Sequence, residues 1–238
     1  MSGHSKWSTI KRQKESSDAK RGMLFSKLTR AIGIAARDGT NPETNFKLRL
    51  IIDKAKTANM PNENIERALR AAQEKSVQVE KIIYEGFGPG GIAVIVEAVT
   101  DSKNRTAQEI KNLFERVGGR LAGPGSVSFQ FESAGYLLVE KSVDSEGQIL
   151  SLNDAGAEDV EESTDGIDVY VAPTQTAQLR DKIERLGFKI QEMKLTMRPK
   201  TFVQITDSNL AQKALAFLEM LQSHEDVQEV FSNIDIIS

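Results

Sequence analysis

The chain has 238 residues, of which 39% are hydrophobic, with 31 Lys and Arg against 34 Asp and Glu and no cysteine. This length and apolar content suffice for two or three small hydrophobic cores. The lack of cysteine excludes disulfides, thiol nucleophiles, iron–sulfur clusters and cysteine-ligated zinc sites. No apolar leader and no apolar run of about 18 residues occurs, so we expect a cytoplasmic protein without a membrane-spanning segment.

The charge is divided unevenly along the chain. Residues 1–75 carry 16 Lys and Arg against 8 Asp and Glu, a net charge of +8, and the remainder carries 15 against 26, a net charge of −11. We call residues 76–238 the acidic body. A basic end joined to an acidic body predicts that the basic end binds a polyanion.

Three amphipathic helices are predicted in the basic end. The first runs from Asp18 to Arg37, the second begins after Pro42, and the third begins at Pro61. The apolar residues that recur at helical spacing are Phe25, Leu28, Ile32 and Ala36, then Leu48, Ile51, Ile52 and Ala55, then Ile65, Ala68, Leu69 and Ala72. Helices that must cover one another's apolar faces form a small domain.

Strand patterns begin in the acidic body. Strands are predicted at 82–85, 92–99 and 127–131, with a helix at 106–117 between the last two. From Tyr136 to Met197 the order strand, helix, strand, strand, helix, strand is that of a complete ferredoxin-like unit. After Pro199 a further strand, helix and strand follow.

The incomplete pieces on either side of that unit decide the predicted topology. Because each is half of the unit that the middle segment completes alone, we expect the two halves to pair with each other. The prediction is an α+β fold of three domains, a three-helix domain followed by two ferredoxin-like domains, the last inserted into the second. The predicted bounds are residues 1–75, residues 76–132 plus 199–238, and residues 133–198.

Basic residues of the first 30 positions are the predicted contacts to nucleic acid. Lysine and arginine bind phosphates with release of counterions, and an exposed Trp can stack on a base. On a helix that advances about 100° per residue, the basic residues at 20, 27, 30 and 37 fall on one arc beside the apolar arc. The predicted nucleic-acid-binding residues are Lys6, Trp7, Lys11, Arg12, Lys14, Lys20, Arg21, Lys27 and Arg30.

A glycine-rich segment contains the spacing G-x-G-x-x-G at Gly86, Gly88 and Gly91. A dinucleotide site needs a helix after these glycines, whereas Ile92–Val96 has the pattern of a strand. The segment is therefore interpreted as a tight loop between two strands, with glycines at positive φ.

An enzyme is the alternative that this segment leaves open, with Tyr84, Glu85, Asp101 and Arg105 near the loop. No complete catalytic set supports it. Only His4 and His224 occur, without metal-ligand spacing, so no metal, no cofactor and no catalytic residue is predicted.

An acidic stretch without Lys or Arg lies between Ser151 and Tyr170. Two interpretations stay open, a solvated sheet face and a surface that docks another protein. The acidic residues are Asp154, Glu158, Asp159, Glu161, Glu162, Asp165 and Asp168.

Motifs along nearly the whole chain resemble those of the YebC/PmpR family. They lie at residues 3–7 (GHSKW), 18–22 (DAKRG), 53–56 (DKAK), 58–61 (ANMP), 64–68 (NIERA), 84–91 (YEGFGPGG), 104–106 (NRT), 125–127 (GSV), 199–200 (PK) and 226–228 (DVQ).

The resemblance implies a helical first domain, two ferredoxin-like domains and a non-enzymatic regulatory function. Some members of this family are named DNA-binding transcriptional regulators. Others, including mitochondrial relatives, resemble translation factors that bind ribosomal RNA or tRNA and relieve stalls at proline-rich stretches. The partner is thus DNA or ribosomal RNA, with the ribosome or another protein as a further partner of the acidic body. Since the motifs begin at Gly3, we expect no transit peptide and a bacterial type of protein.

Overall fold

A computed structural model describes residues 18–74 and 79–237, with side chains from Gly22 onward. Within these residues, helices and strands alternate in the order that the sequence predicts for an α+β protein. None of the helices in this part of the chain has the length and apolar character that crossing a membrane requires.

The basic end folds into three helices around one core. They are α1 (Asp18–Ala35), α2 (Phe46–Thr57) and α3 (Asn62–Gln73), and a short 3-10 turn extends α1 to residue 38. Asn45 begins α2 by accepting a hydrogen bond from the N–H of Leu48, while its amide donates to the carbonyl of Ala35. The predicted apolar positions form the core, which confirms the helical spacing.

The second domain is a four-stranded antiparallel sheet with two helices on one face. Its strands are β1 (Glu80–Phe87), β2 (Ala93–Thr100), β3 (Arg120–Ala122) and β9 (Val227–Ser232), in the order β3-β1-β2-β9, and its helices are α4 (Lys103–Arg116) and α7 (Ser208–Gln222). Phe114 and Phe217 join the helices edge to face, with ring centroids 4.9 Å apart.

The inserted domain has the predicted ferredoxin-like order. Its elements are β4 (Phe131–Val139), α5 (Ser145–Asp154), β5 (Asp159–Glu162), β6 (Ile167–Val171), α6 (Thr176–Arg185) and β7 (Ile190–Pro199). The antiparallel sheet has the order β5-β6-β4-β7, in which the first and third strands of the unit are central. The ends of β4 and β7 cross the predicted domain limits by one or two residues.

The two halves of the second domain meet across the insertion. Strand β9 pairs with β2, with Val94 opposite Ser232 and Val96 opposite Val230. This pairing confirms the predicted three-domain fold, in which one ferredoxin-like domain is inserted into another.

Two strand predictions were wrong in detail. Residues 127–131 do not form a strand, because Ser128–Gln130 make a 3-10 turn and the edge strand is β3 instead. The strand after Pro199 is β8 (Val203–Ile205), which pairs with β10 (Ile234–Ile236) in a separate parallel pair rather than joining the larger sheet. Apolar runs predict extended chain but do not identify its neighbours.

Candidate nucleic-acid interface

Most of the predicted contact residues precede the described side chains. Lys20 and Arg21 lie in the first turn of α1. Those outside the described residues are Lys6, Trp7, Lys11, Arg12 and Lys14. Contact between these seven residues and nucleic acid stays a prediction.

Lys27 and Arg30 face the acidic body. Lys27 is only 8% exposed, and its Nζ donates a hydrogen bond to the carbonyl oxygen of Gln222 at 2.5 Å. Arg30 donates to Oδ1 of Asp226 at 2.6 Å and to Oε1 of Glu225 at 2.8 Å. Both cations therefore contact the end of α7 and the loop that follows it, residues 223–226, which we call the junction loop.

Asp226 is the centre of this contact. It is 2% exposed, and its Oδ2 accepts hydrogen bonds from the hydroxyl of Thr106 at 2.6 Å and from Arg105 at 3.2 Å. Burial raises the pKa of Asp226, but the hydrogen bonds from Thr106 and Arg105 and the charge of Arg30 outweigh it and hold the pKa below its ordinary value. One carboxylate thus joins the helical domain to α4 of the second domain.

A cleft of about 730 Å³ opens beside this ion pair, lined by charged side chains from α1, α4 and the junction loop. Small-molecule sites are mostly apolar, so the lining is not typical of one. Glu109, His224 and Asp226 offer ligand atoms within 4.8 Å of one another. However, the carboxylate of Asp226 already binds two guanidinium groups, and these would repel a cation.

Further contacts fix the helical domain on the acidic body. Arg37 donates to the carbonyl of Val79 at 2.6 Å, and Lys54 lies 3.3 Å from the carboxylate of Glu229 on β9. Helix α2 also contacts β7 of the inserted domain. The helical domain therefore packs against both other domains, and cations of α1 and α2 make part of that contact.

Other cations of the helical domain point outward. They are exposed, and in residues 18–74 and 79–237 none has a carboxylate within 4.0 Å; these are Lys47, Lys56, Arg67 and Arg70. The guanidinium of Arg49 lies over the ring of Phe46, 5.6 Å from its centroid. The four outward cations extend the surface that is available to phosphates.

The acidic stretch of the inserted domain is partly neutralised within the fold. Arg198 on β7 forms ion pairs with Asp159 and Glu161. Asp168 is 2% exposed and accepts a hydrogen bond from the hydroxyl of Tyr136 at 2.6 Å. These three acids lie on one face of the sheet, but two of them are paired with Arg198 and the third is buried, so they do not form the solvated face that one of the two interpretations predicts.

Glu85 on β1 holds the loop that precedes β4. Its carboxylate, 5% exposed, accepts hydrogen bonds from the backbone N–H groups of Gly125, Val127 and Ser128 at 2.8, 2.7 and 2.9 Å. Burial raises the pKa of Glu85, but these hydrogen bonds outweigh it and keep the pKa below its ordinary value. The residue has a structural role.

Replacing Glu85 with glutamine is expected to lower the free energy of unfolding by about 2 kcal/mol at pH 7, because a charged acceptor of three N–H groups is lost. A lowered pKa stabilises the fold above the ordinary glutamate pKa near 4.3 and loses that effect as the pH falls through the folded-state value. Urea unfolding at pH 7 and at acid pH measures both effects. The exposed Glu132→Gln serves as control, and equal stability of the two variants at pH 7 would contradict this role.

The residues of the enzyme alternative do not converge. Tyr84 packs in the core on the helix side of the sheet, whereas the side chain of Glu85, the next residue of the strand, lies on the opposite face. Asp101, which precedes α4, forms an exposed ion pair with Arg105 of that helix, and both line the charged cleft. The glycine loop is a turn with Gly90 and Gly91 at φ of 77° and 76°, as the loop interpretation predicts.

Asp226 and Thr106 were not predicted as partners of the basic helix. Asp226 lies in a loop between a helix and a strand of the acidic body. An aspartate in such a loop is common, so by its position alone it does not indicate a partner on α1. The contact itself joins residues 196 positions apart, and no local pattern indicates such a pairing.

Comparisons with known proteins cover both parts of this architecture. The model of the TACO1/YebC protein N-terminal domain matches residues 5–75, and that of the TACO1/YebC second and third domain matches residues 79–234. Relatives named "Probable transcriptional regulatory protein" include one from Dictyoglomus turgidum, 46% identical over 99% of this chain and 96% of its own length. Another, from Thermotoga maritima, is 44% identical over 99% of this chain and 94% of its own length.

A solved structure has the same fold. The crystal structure of a conserved hypothetical protein from Aquifex aeolicus matches with a TM-score of 0.86 and 42% identity, over 93% of each chain. The two domain models together span almost the whole chain, and the relatives match it over nearly their full length. The chain therefore belongs to the TACO1/YebC family.

Proposed function

We propose that this protein is a cytoplasmic, non-enzymatic regulator that binds nucleic acid through its helical domain and acts on transcription, as the names of its relatives suggest. The observation that carries the proposal is the separation of charge, +8 on residues 1–75 against −11 on the rest. The acidic body repels a polyanion, so the helical domain is the part that attracts it.

The geometry supports a division of the basic residues into two groups. Lys27 and Arg30 hold the helical domain on the junction loop, where Asp226 orients Arg30. The contact surface for phosphates comprises the basic residues of positions 6–21 together with the outward cations of α2 and α3. A buried cation that bonds within the protein has little to offer to a phosphate.

Regulation of translation at the ribosome is the second candidate function. The observation that favours it concerns α3, which follows α2 after a short turn and would be the recognition helix if these two helices bound DNA. The outward face of α3 presents Glu63 and Glu66 beside Arg67 and Arg70. Carboxylates there would oppose the phosphates that flank a major groove, whereas recognition of folded RNA by shape and phosphate contacts needs no recognition helix.

Binding of the intact chain to duplex DNA and to purified ribosomes over a salt series tests the proposal. With about six phosphate contacts, log affinity for duplex should fall against log salt with a slope of about −5. The variant Lys11→Glu/Arg12→Glu/Lys20→Glu/Arg21→Glu should lose at least about a hundredfold in affinity and most of that slope.

A matched control carries the same change of charge on the acidic body, Lys103→Glu/Lys111→Glu/Lys189→Glu/Lys213→Glu. It should bind nearly as well as the intact chain, because its substitutions lie away from the helical domain. Selective binding to DNA supports the function in transcription, and tight, variant-sensitive binding to ribosomes with weak DNA binding supports the function in translation. Binding to neither, or equal losses in both variants, overturns the proposal.

A further inference from the structure

The loop between β3 and β4, residues 123–130, has exposed cations in its neighbourhood, although its backbone binds the buried carboxylate of Glu85 and Arg198 is paired with Asp159 and Glu161. Two chain segments meet there, residues 116–131 and 193–206, because the N–H of Lys200 donates to the carbonyl of Gln130 at 2.7 Å and Pro199 pairs with Phe131. Neither segment contains a carboxylate, although the body as a whole has a net charge of −11. Their basic residues are Arg116, Arg120, Lys194, Arg198 and Lys200.

Two of these cations flank the loop and are open to solvent. Arg120 and Lys200 are exposed, and neither has a carboxylate within 4.0 Å among residues 18–74 and 79–237. The guanidinium of Arg120 lies over Phe87, 5.0 Å from the ring centroid, and Phe87 packs against Val127 at the base of the loop. Arg120 lies in the strand that leads into the loop, and the backbone of Lys200 binds Gln130 at the end of the loop.

An aromatic side chain is exposed on the same loop. Phe129 is 69% exposed, although Val127 and Phe131 on either side of it are almost completely buried. Phe202, two residues beyond Lys200, is 41% exposed. Burial of a phenylalanine side chain is favourable by about 2 kcal/mol. The exposed Phe129 lacks this stabilisation in the folded protein, and a ligand that covers the ring would gain it on binding.

The loop is held in place before any ligand arrives. The three hydrogen bonds from its backbone to Glu85 and the burial of Val127 fix the segment before Phe129, and the burial of Phe131 fixes the segment after it. A side chain held in this way loses less conformational entropy on binding.

We propose that this loop binds an unpaired nucleotide of the nucleic-acid partner, with its base stacked on Phe129 and the adjacent phosphates bound by Arg120 and Lys200. The inference rests on the proposed function and adds a second contact, in the body, to that of the helical domain. Proteins bind single-stranded nucleic acid with exposed aromatic rings on which bases stack and with basic side chains that bind the adjacent phosphates.

Binding of the full chain to two probes tests the site. One probe is a blunt duplex of about 16 base pairs; the other is the same duplex with an unpaired extension of about six nucleotides, and both are made in RNA and in DNA. The intact chain should prefer the extended probe by about tenfold, and Phe129→Ala should abolish this preference without weakening binding to the blunt duplex.

Three further variants make the test specific. Phe129→Trp should keep the preference, because it keeps a stacking surface. Lys200→Gln should reduce the salt slope for the extended probe by about one and leave the slope for the blunt duplex unchanged. Leu150→Ala, an apolar residue that is 66% exposed on the inserted domain, should behave as the intact chain.

The outcomes separate the two proposals. If the blunt duplex binds but the extension adds nothing, or if Phe129→Ala weakens both probes alike, the nucleotide site is wrong while the proposed function stands. A Phe129→Ala variant that keeps the full preference for the extended probe would also show that the nucleotide site is wrong. The exposed ring would then be assigned to contact with a protein partner. If the intact chain binds no probe and no ribosome, the proposed function is wrong, and the nucleotide site is overturned with it.

Discussion

Replacement of Asp226 with asparagine is expected to lower the free energy of unfolding by about 2 kcal/mol at pH 7. The buried carboxylate binds the hydroxyl of Thr106 and the guanidinium groups of Arg30 and Arg105, and an asparagine amide has neither the charge nor enough acceptor atoms to replace it. Since the contact joins two domains, hydrogen exchange of the α1 amides should also become faster.

Glu225→Gln is the matched control, because Glu225 binds the same arginine but its side chain is 66% exposed. Exposed ion pairs contribute little to stability, so this variant should unfold like the intact protein.

The lowered pKa of Asp226 gives a second test by pH. Its stabilisation is present above the ordinary aspartate pKa near 3.9 and is lost as the pH falls through the lower folded-state value, so the difference between the Asp226→Asn variant and the intact protein should vanish in acid. Equal stability of the two Asn and Gln variants at pH 7 would contradict the central role of Asp226.

The same variant tests whether Arg30 contacts phosphate, as the helical pattern predicted. Asp226→Asn removes the buried one of the two carboxylates that bind Arg30, so a contribution from this arginine to phosphate binding would appear as tighter binding and a steeper salt slope. An unchanged slope would assign Arg30 to the domain contact alone. Thermal unfolding of the same samples shows that the comparison is made below the unfolding transition.

Replacement of Gly86 with alanine is expected to cost about 3 kcal/mol of stability, the upper range for overpacking a core. A Cβ atom at this position of β1 would lie 2.5 Å from a ring carbon of Phe114 and 2.6 Å from the carbonyl oxygen of Arg120. The ring is fully buried between α4 and α7, and the carbonyl belongs to the paired strand β3. Neither can move away without a shift of the sheet or of the helix.

Urea unfolding measures this effect, with Gly33→Ala as control. Gly33 lies inside α1 with no atom within 4 Å of an added Cβ. Alanine should therefore stabilise that helix by about 0.5–1 kcal/mol. If the Gly86→Ala protein were as stable as the Gly33→Ala protein, β1 and α4 would have room for a Cβ atom at position 86, and the close packing of Gly86 on Phe114 would be contradicted.

The sequence predicted those features that depend on local patterns. The spacing of Leu28 and Ile32 identifies a helix, and the complete strand–helix order between Tyr136 and Met197 identifies the inserted domain. Residues 127–131 were misassigned because Val127 and Phe131 are apolar for a different reason: both pack under a turn whose N–H groups bond to Glu85. When a side chain such as Glu85 accepts the backbone hydrogen bonds that a neighbouring strand would otherwise accept, the sequence shows no periodic pattern that reveals it.

The site was predicted less completely than the fold. Charge counts identify the helical domain as basic, but they do not separate cations that face solvent from those that face the body. Lys27 and Arg30 share an arc with Lys20, and the packing of α1 on the junction loop, nearly 200 residues later, decides their surroundings. Phe129 was not predicted as a site residue, because an apolar residue between the apolar Val127 and Phe131 is expected to be buried with them.

The pairing of β2 with β9 has a consequence for the order in which the protein folds during synthesis. Residues 133–198 are contiguous, so the inserted domain can fold as soon as it has been translated. The sheet of the second domain has to wait for Val227–Ser232, since Ser232 pairs with Val94 and Val227 with Ala98, both made much earlier in synthesis. Arg30 gains the carboxylate of Asp226 at that same late stage. The contact of the basic helices with the junction loop is thereby coupled to the synthesis of residues 223–232, whereas the contacts of Arg37 with Val79 and of α2 with β7 need only earlier parts of the chain.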